Sequence, residues 1–335
     1  MDLSIIIINY RSAQHVLNCL ASVYEQTTRH SFEAIVVDNA SGDDSEVRIK
    51  TSFPQAIWLQ TGYNAGFARA NNEGIRLAKG KYILLLNADT IVVDGALDKT
   101  IEAFKTTGGA GCGVQLLNPD GSHQISGAHF IKGGLNFLLP LPYLGRFVRY
   151  WGYRLKTKVP SVQTVSAIME VDWIVGAFIL VPKEVLAKAG LLDEDFFMYA
   201  EEIEWCARLR QQGKLYLFEE PKVIHLGGGT SSDYYATSEN ENSKNLWNKK
   251  ARQIIVSQML RIRKQFGVFW FLIICAFFII EIPLFIFCLL IEKIVRLGRS
   301  RYKWTDVKGY FKNILVLVRY VPKIIRNRPH FYKVY

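Results

Sequence analysis

Polar residues that could do chemistry stand just past apolar runs at several points of the chain. Leu3–Ile8 runs into Asn9 and Tyr10, Ala34–Val37 ends at Asp38 within VVDNASGDDS, and Tyr82–Leu86 is followed by Asn87 and Asp89 within LLLNADT. Asp38 can accept a hydrogen bond from a base N–H or a ribose hydroxyl, or it can close an Asx turn of its own. Asp89 can hold a divalent cation that bridges nucleotide phosphates; its alternative use is to cap the next turn. Asn87 offers only a neutral oxygen. In TGYNAGFARANNEG (61–74), Gly62 and Gly66 permit a tight loop before a helix whose free N–H groups suit a diphosphate. There is no Gly-x-Gly-x-x-Gly and no Gly-x-x-x-x-Gly-Lys-[Ser/Thr], so dinucleotide and Walker-type readings lack support. Glu201, Glu202 and Glu204 open a helical segment, where the macrodipole favours carboxylates. They directly follow Phe196, Phe197, Met198 and Tyr199, and apolar neighbours suit a carboxylate to the work of a tuned base. His225 precedes the run Gly227–Gly229 and is a second candidate metal ligand beside Asp89.

The elements that must position these groups alternate from the first residue. Leu3–Ile8, Ala34–Val37, Ile57–Leu59 and Tyr82–Leu86 read as buried parallel strands; Ala13–Tyr24, Ala68–Ala78 and Ala96–Phe104 show helical spacing. This predicts a doubly wound α/β domain, with ligands at the carboxyl ends of its strands. Asn9, Asp38, Asn64 and Asn87–Asp89 would then line one edge of the sheet. After about Cys112 the pattern loosens, and residues 118–165, with Pro119, Pro140, Pro142 and Pro160, read as an irregular insertion with a short hairpin at Asp120–Gly121. Its aromatic and basic residues suit a surface facing membrane or acceptor. Strand character resumes over Val171–Val181, Glu201–Gln211 is helical with Ile203, Ala207 and Leu209 inward, and Val223–Ile224 is a short strand.

Charge divides the chain of 335 residues in two. Residues 1–243 carry 22 Lys+Arg and 27 Asp+Glu, a net of −5; residues 244–335 carry 19 and 3, a net of +16. Five scattered Cys without a Cys-x-x-Cys exclude a disulfide framework or thiolate zinc cluster and fit a reducing compartment. The basic tail holds the longest apolar run, Val268–Ile291, interrupted by Glu281 and Pro283. Apolar density beside Lys and Arg favours anionic lipid over nucleic acid. As a helix the run would reach ~36 Å, enough for the ~30 Å hydrocarbon core. Two arrangements fit, a single span kinked at Pro283 or a re-entrant segment turning there. Ile314–Ile325, among Lys and Arg, is too short to span and reads as interfacial. Leu3–Ile8 lacks the features of a signal peptide, so the acidic body is expected in the cytoplasm, on the membrane's inner face.

Taken in order, IIIINYRS, VVDNASGD, GYNAGFARANN, LLLNADT, VGAF, LDEDFFMYAEEIEWCARLRQQG and VIHLGGGTS resemble the family 2 inverting glycosyltransferases of the GT-A fold, most closely their bacterial rhamnosyltransferase-type members. The resemblance covers about residues 3–232 and implies a GT-A domain over 1–243 followed by membrane-anchoring helices over 244–335. It implies that Tyr10 and Asp38 contact the nucleoside, with Asp38 on the pyrimidine, and that Asn64, Gly66, Asn71 and Asn72 border the diphosphate and sugar. Asn87 and Asp89 stand at the family's Asp-x-Asp metal motif, with Mg²⁺ or Mn²⁺ as cofactor and His225 completing the metal or phosphate site. Trp173, Gly176 and Ala177 would floor the donor and acceptor pocket, and Glu202 would be the catalytic base. Two residues depart from the pattern. Asn87 replaces the first Asp, which lowers the expected metal affinity, and Glu202 replaces an Asp, which leaves Glu201 as a second candidate base. The implied activity moves a sugar from a nucleotide-diphospho-sugar, first dTDP-L-rhamnose, to a polyprenyl-diphosphate-linked saccharide. The alternatives are a UDP-hexose donor or a weakly active membrane scaffold.

Overall fold

The computed structural model describes residues 1–130, 134–154, 161–227 and 245–334. Gly228, Gly229 and the expected domain boundary at 243/244 lie outside the described residues. The strands are β1 (Leu3–Asn9), β2 (Phe32–Asp38), β3 (Ile57–Gln60), β4 (Tyr82–Leu86), β5 (Thr90–Val92), β6 (Gly111–Leu117), β7 (Gly127–Ala128), β8 (Ser161–Val162), β9 (Ile168–Val171), β10 (Trp173–Ile174), β11 (Phe178–Pro182) and β12 (Leu215–His225). The helices are α1 (Ala13–Gln26), α2 (Ser45–Ser52), α3 (Gly66–Leu77), α4 (Ala96–Lys105), α5 (Leu144–Arg154), α6 (Lys183–Ala189), α7 (Glu201–Leu209), α8 (Lys249–Val295) and α9 (Trp304–Arg326).

Two compact units form. The first holds residues 1–130, 161–197 and 201–227; the second holds residues 134–154, 198–200 and 245–334. The first is built on a mixed sheet in the order β3-β2-β1-β4-β11-β6-β12-β5, with β9 paired to β12. β3, β2, β1 and β4 are parallel to one another, and β11 runs antiparallel between β4 and β6. The uninterrupted apolar run of β1 is explained by cover on both faces: Leu3, Ile5 and Ile7 join one core cluster with Val16, Leu20 and Ile101, while Ile6 joins the other with Ile35, Ala68 and Trp205. The register pairs Asn9 with Asp38, so the first two polar strand ends sit side by side.

Several elements depart from the sequence reading. β6 falls where the pattern loosens, and it bears glycines because Cβ atoms at Gly111 or Gly113 would press on Leu180, Ile174 or Leu217. α5 is a regular helix inside the segment read as irregular, while the turn at Asp120–Gly121 forms, with Gly121 N–H donating to Asn118 O at 2.9 Å. The inward face of α7 is Trp205, Cys206 and Leu209; Ile203 and Ala207 are only half-buried, because the large Trp205 ring sets the face and its Nε1 donates to Gly190 O at 3.0 Å.

The second unit turns elsewhere than at Pro283, where the re-entrant alternative put the turn. The helix continues through Pro283, and its one non-helical residue is Gly267 (φ 86°, ψ 177°). Gly267 turns the chain back on itself. Met259 Sδ and Cys275 Sγ lie 3.8 Å apart, whereas 16 residues of straight helix would separate them by ~24 Å. Further along the same pair of arms, the rings of Trp247 and Phe285 are 6.3 Å apart. The arms 249–266 and 268–295 thus form a helical hairpin. α9 packs along it: Asn313 Nδ2 donates to Leu246 O and Asn248 O, both at 2.9 Å, and Arg263 Nη2 donates to Ile325 O at 3.1 Å.

Candidate active site

The carboxyl ends of β1, β2 and β4 gather the predicted residues of the first unit. Asp38 is buried, and its carboxylate braces the turn that follows it. Oδ1 accepts from Asn9 Nδ2 at 2.6 Å and from Ser41 Oγ, and Oδ2 accepts from Ser41 N at 3.0 Å. This is the Asx-type arrangement that the sequence also allowed. Beside it, Tyr10 is half-buried with the Arg11 guanidinium 5.5 Å from its ring centroid, and Arg11 Nε donates to Ser41 O at 3.3 Å. Asn39, which the motif reading passed over, ties this turn to the glycine loop: its Oδ1 accepts from Ala65 N at 2.7 Å and its Nδ2 donates to Asn64 Oδ1 at 3.3 Å.

Gly66 has a stricter requirement than a loose loop. Its φ is +72°, and a Cβ there would lie 2.1 Å from Phe197 O, the same carbonyl that accepts from Phe67 N at 2.8 Å. Only glycine tolerates both the backbone angle and the approach. Asn71 and Asn72 are buried in α3 and point their amides into the protein. Asn71 Nδ2 donates to Phe67 O at 2.9 Å; Asn72 Nδ2 donates to Leu192 O at 2.9 Å, and its Oδ1 accepts from Leu192 N at 3.1 Å. Asn72 thus holds the segment leading to Phe197 against α3, while Asn71 closes on its own helix.

Asp89 and His225 come together. They are remote in sequence but adjacent through the β5–β12 pairing, which sets His225 opposite Thr90. His225 Nε2 is 3.4 Å from Asp89 Oδ1 and 3.5 Å from Asn87 Nδ2. Burial works against ionisation of Asp89, yet the hydrogen bond and charge of His225 outweigh it and hold the carboxyl below its ordinary value. His225 is itself clamped by Gln124, whose Oε1 lies 2.9 Å from Nδ1 and whose Nε2 donates to His225 O at 2.6 Å. Because an amide oxygen only accepts, Nδ1 carries a proton, and Nε2 is the ring nitrogen that faces Asp89. Nothing in local sequence marks Gln124; it reaches His225 only through the turn at Asp120–Gly121.

Among the described residues no group of three His, Cys, Asp or Glu side chains could hold a metal. One carboxylate and one imidazole still fit Mg²⁺ or Mn²⁺, which take few protein ligands and fill the rest of the shell with substrate phosphate and water. The spacing of Oδ1 and Nε2 is also one that two ligands of a single ion can adopt.

Across the same edge, Asn87 N–H donates to Ala177 O at 3.0 Å, which brings the buried Ala177 and its neighbour Gly176 beside the LLLNADT turn. A Cβ at Gly176 would lie 3.7 Å from Phe67 Cζ and 3.8 Å from Glu202 Cβ and Cγ. Glu202 is half-exposed, whereas Glu201 is buried at 3% exposure. Glu204 is spent on Arg208, which holds both its oxygens at 2.8 Å. Trp173 is half-buried in β10, its backbone paired with Ala128.

A buried aspartate and a clamped histidine thus share a sheet edge with a half-exposed glutamate and a glycine loop. Residues 4–158 match the family model "Glycosyl transferase family 2". This stretch is similar to the family 2 glycosyl transferases. The chain is 29% identical over 220 residues to a low-salt glycan biosynthesis hexosyltransferase of Haloferax volcanii, covering 63% of this chain and 62% of that one. It is 26% identical over 239 residues to an N-acetylglucosaminyl-diphospho-decaprenol L-rhamnosyltransferase of Mycobacterium tuberculosis, covering 67% of this chain and 75% of that one. The structure of GalNAc-T7 with UDP, GalNAc and Mn²⁺ superposes with a TM-score of 0.52 at 15% identity, covering 79% of this chain and 50% of that one, a likeness of fold. The mixed sheet is of the GT-A type, as the sequence predicted, and the chain's relatives include rhamnosyltransferases.

Proposed function

We propose that this glycosyltransferase moves a hexose, first L-rhamnose from dTDP-L-rhamnose, onto a polyprenyl-diphosphate-linked saccharide with inversion at the anomeric carbon. The observation that supports the reading is the approach of His225 Nε2 to Asp89 Oδ1 at 3.4 Å beside Asn87, whose N–H donates to Ala177 O next to Gly176 and the stem of Glu202. Asp89 Oδ1 and His225 Nε2 would hold Mg²⁺ or Mn²⁺. When bound, such a cation neutralises charge developing on the departing diphosphate. Gln124 keeps the His225 proton on Nδ1 and so leaves Nε2 free to ligate. The turns at Tyr10–Ser41 and Asn64–Gly66 form the nucleoside and diphosphate side of the pocket. Trp173, Gly176 and Ala177 form the floor on which donor and acceptor meet.

Glu202 is the base of choice because it is half-exposed, while Glu201 is buried. Its carboxylate takes the proton of the acceptor hydroxyl as that oxygen attacks the sugar carbon and the nucleoside diphosphate leaves. A general base is typically worth 10²–10⁴-fold. Glu202→Gln should therefore lower turnover by at least about 100-fold while donor affinity measured by calorimetry stays within about twofold. Full turnover in that variant would remove Glu202 from the role. The mycobacterial relative's printed name supports a lipid-linked acceptor. The long apolar helix α8 supports membrane attachment, on the cytoplasmic face where nucleotide sugars are available. Attachment would raise the effective concentration of a lipid-borne acceptor at the site.

A further inference from the structure

We infer that the second unit lies in the plane of an anionic membrane surface, with its apolar arm sunk into the outer part of the bilayer, and does not cross it. In-plane binding presupposes the membrane attachment proposed above and specifies its geometry. The outer side of the arm 268–295 is apolar from end to end: Phe269 is 69% exposed, Ile280 53%, Phe287 61% and Ile294 75%. A stripe of that extent facing water is unfavourable and marks a contact surface. Its one acidic residue before Glu292 is already satisfied. Glu281 is fully buried and accepts from Tyr143 N at 2.6 Å and Leu144 N at 3.2 Å, at the N-terminus of α5, where the helix dipole favours a carboxylate.

The inner side of the arm decides the orientation. Tyr310 Oη donates to Phe278 O at 2.8 Å, and the rings of Tyr310 and Phe285 are 5.9 Å apart, so α9 runs beside the middle of the arm. Lys308 and Lys312 flank Tyr310 and are exposed. An arm standing across the bilayer would carry both lysines to its midplane, where a charged side chain is strongly disfavoured. Laid flat, the same helices keep every lysine within reach of the headgroups. α9 has the composition for that position, with exposed Phe311, Leu315 and Val318 interleaved with Lys308, Lys312 and Arg319. α5 repeats the pattern with exposed Phe147 and Trp151 beside Arg149 and Arg154. The cationic residues argue for anionic lipid as the occupant of this face, whose negative surface potential attracts each of them.

The test uses the full chain with Cys288→Ser and one nitroxide at a time on Phe269→Cys, Ile280→Cys, Phe287→Cys or Ile294→Cys, bound to phosphatidylcholine–phosphatidylglycerol vesicles. Collision with oxygen and with a water-soluble nickel chelate reports depth. In-plane binding predicts all four labels at a similar depth, about 5–10 Å into the headgroup and acyl boundary, and weaker binding to phosphatidylcholine alone. A profile deepest at 280 and shallow at 269 and 294 would mean a span and overturn the in-plane geometry while leaving attachment intact. Spin–spin broadening without lipid contact would make the face a dimer interface and overturn it as well. Failure of the unlabelled chain to float with either vesicle would overturn the membrane attachment itself.

Discussion

Gln124 shows how much of the site is set by residues with no chemistry of their own. It fixes the His225 proton on one nitrogen and anchors the His225 backbone through a second bond. Outer partners of this kind are typically worth 10–100-fold in metal affinity. Gln124→Ala should thus raise the Mn²⁺ concentration for half-maximal activity by at least about tenfold, with a smaller change at saturating metal, as read by a Mn²⁺ titration of turnover. Asp89 and His225 were legible in sequence, because each directly follows a strand-like run. Gln124 was not, since its reach depends on a turn two residues long and on the pairing of β12. The roles of Asp38, Asn71 and Asn72 were blurred for a related reason. A buried amide or carboxylate that braces a loop looks, in sequence, like one that faces a ligand.

At the scale of elements, the parallel half of the sheet was readable from β-branched runs, while β6 and α5 were not. Glycines thin the apolar signal of β6, and the helix α5 is announced only by its packing partner, Glu281, 137 residues further on from Leu144. Two contacts between elements can be measured directly. Gly66→Ala forces a methyl onto the Phe197 carbonyl at a positive φ and should destabilise the domain by about 2–3 kcal/mol, seen as a fall in the thermal midpoint. Asp98, at the start of α4, accepts from the backbone N–H groups of Thr28, Arg29 and His30. Burial opposes its charge, but these bonds and the His30 side chain together hold its carboxyl below the ordinary value of 3.8. A depressed carboxyl contributes stability that is present above that value and is lost as pH falls through the lower folded one. The stability advantage of the native chain over Asp98→Asn should accordingly be constant near neutrality and shrink in acid, in urea unfolding at stepped pH.

For the whole molecule, the split of charge between a body of −5 and a tail of +16 set the tail apart as the part for which membrane attachment is proposed. What composition could not convey was the fold of the tail. Pro283 is the conspicuous helix breaker, yet Gly267 makes the turn, because only a residue without Cβ takes its backbone angles without strain. Membrane attachment through exposed lysines and arginines should weaken steeply between low and high salt, since screening shortens the ~10 Å Debye length at 0.1 M to ~3 Å at 1 M. The central claim concerns the other task, that Asp89 and His225 hold a cation against a nucleoside diphosphate. Calorimetry of dTDP and UDP binding to the full chain, with and without Mn²⁺, tests it most directly. Affinity that requires Mn²⁺ and falls at least about tenfold in Asp89→Ala is the predicted result. Equal affinity without the metal, or in the variant, would contradict it.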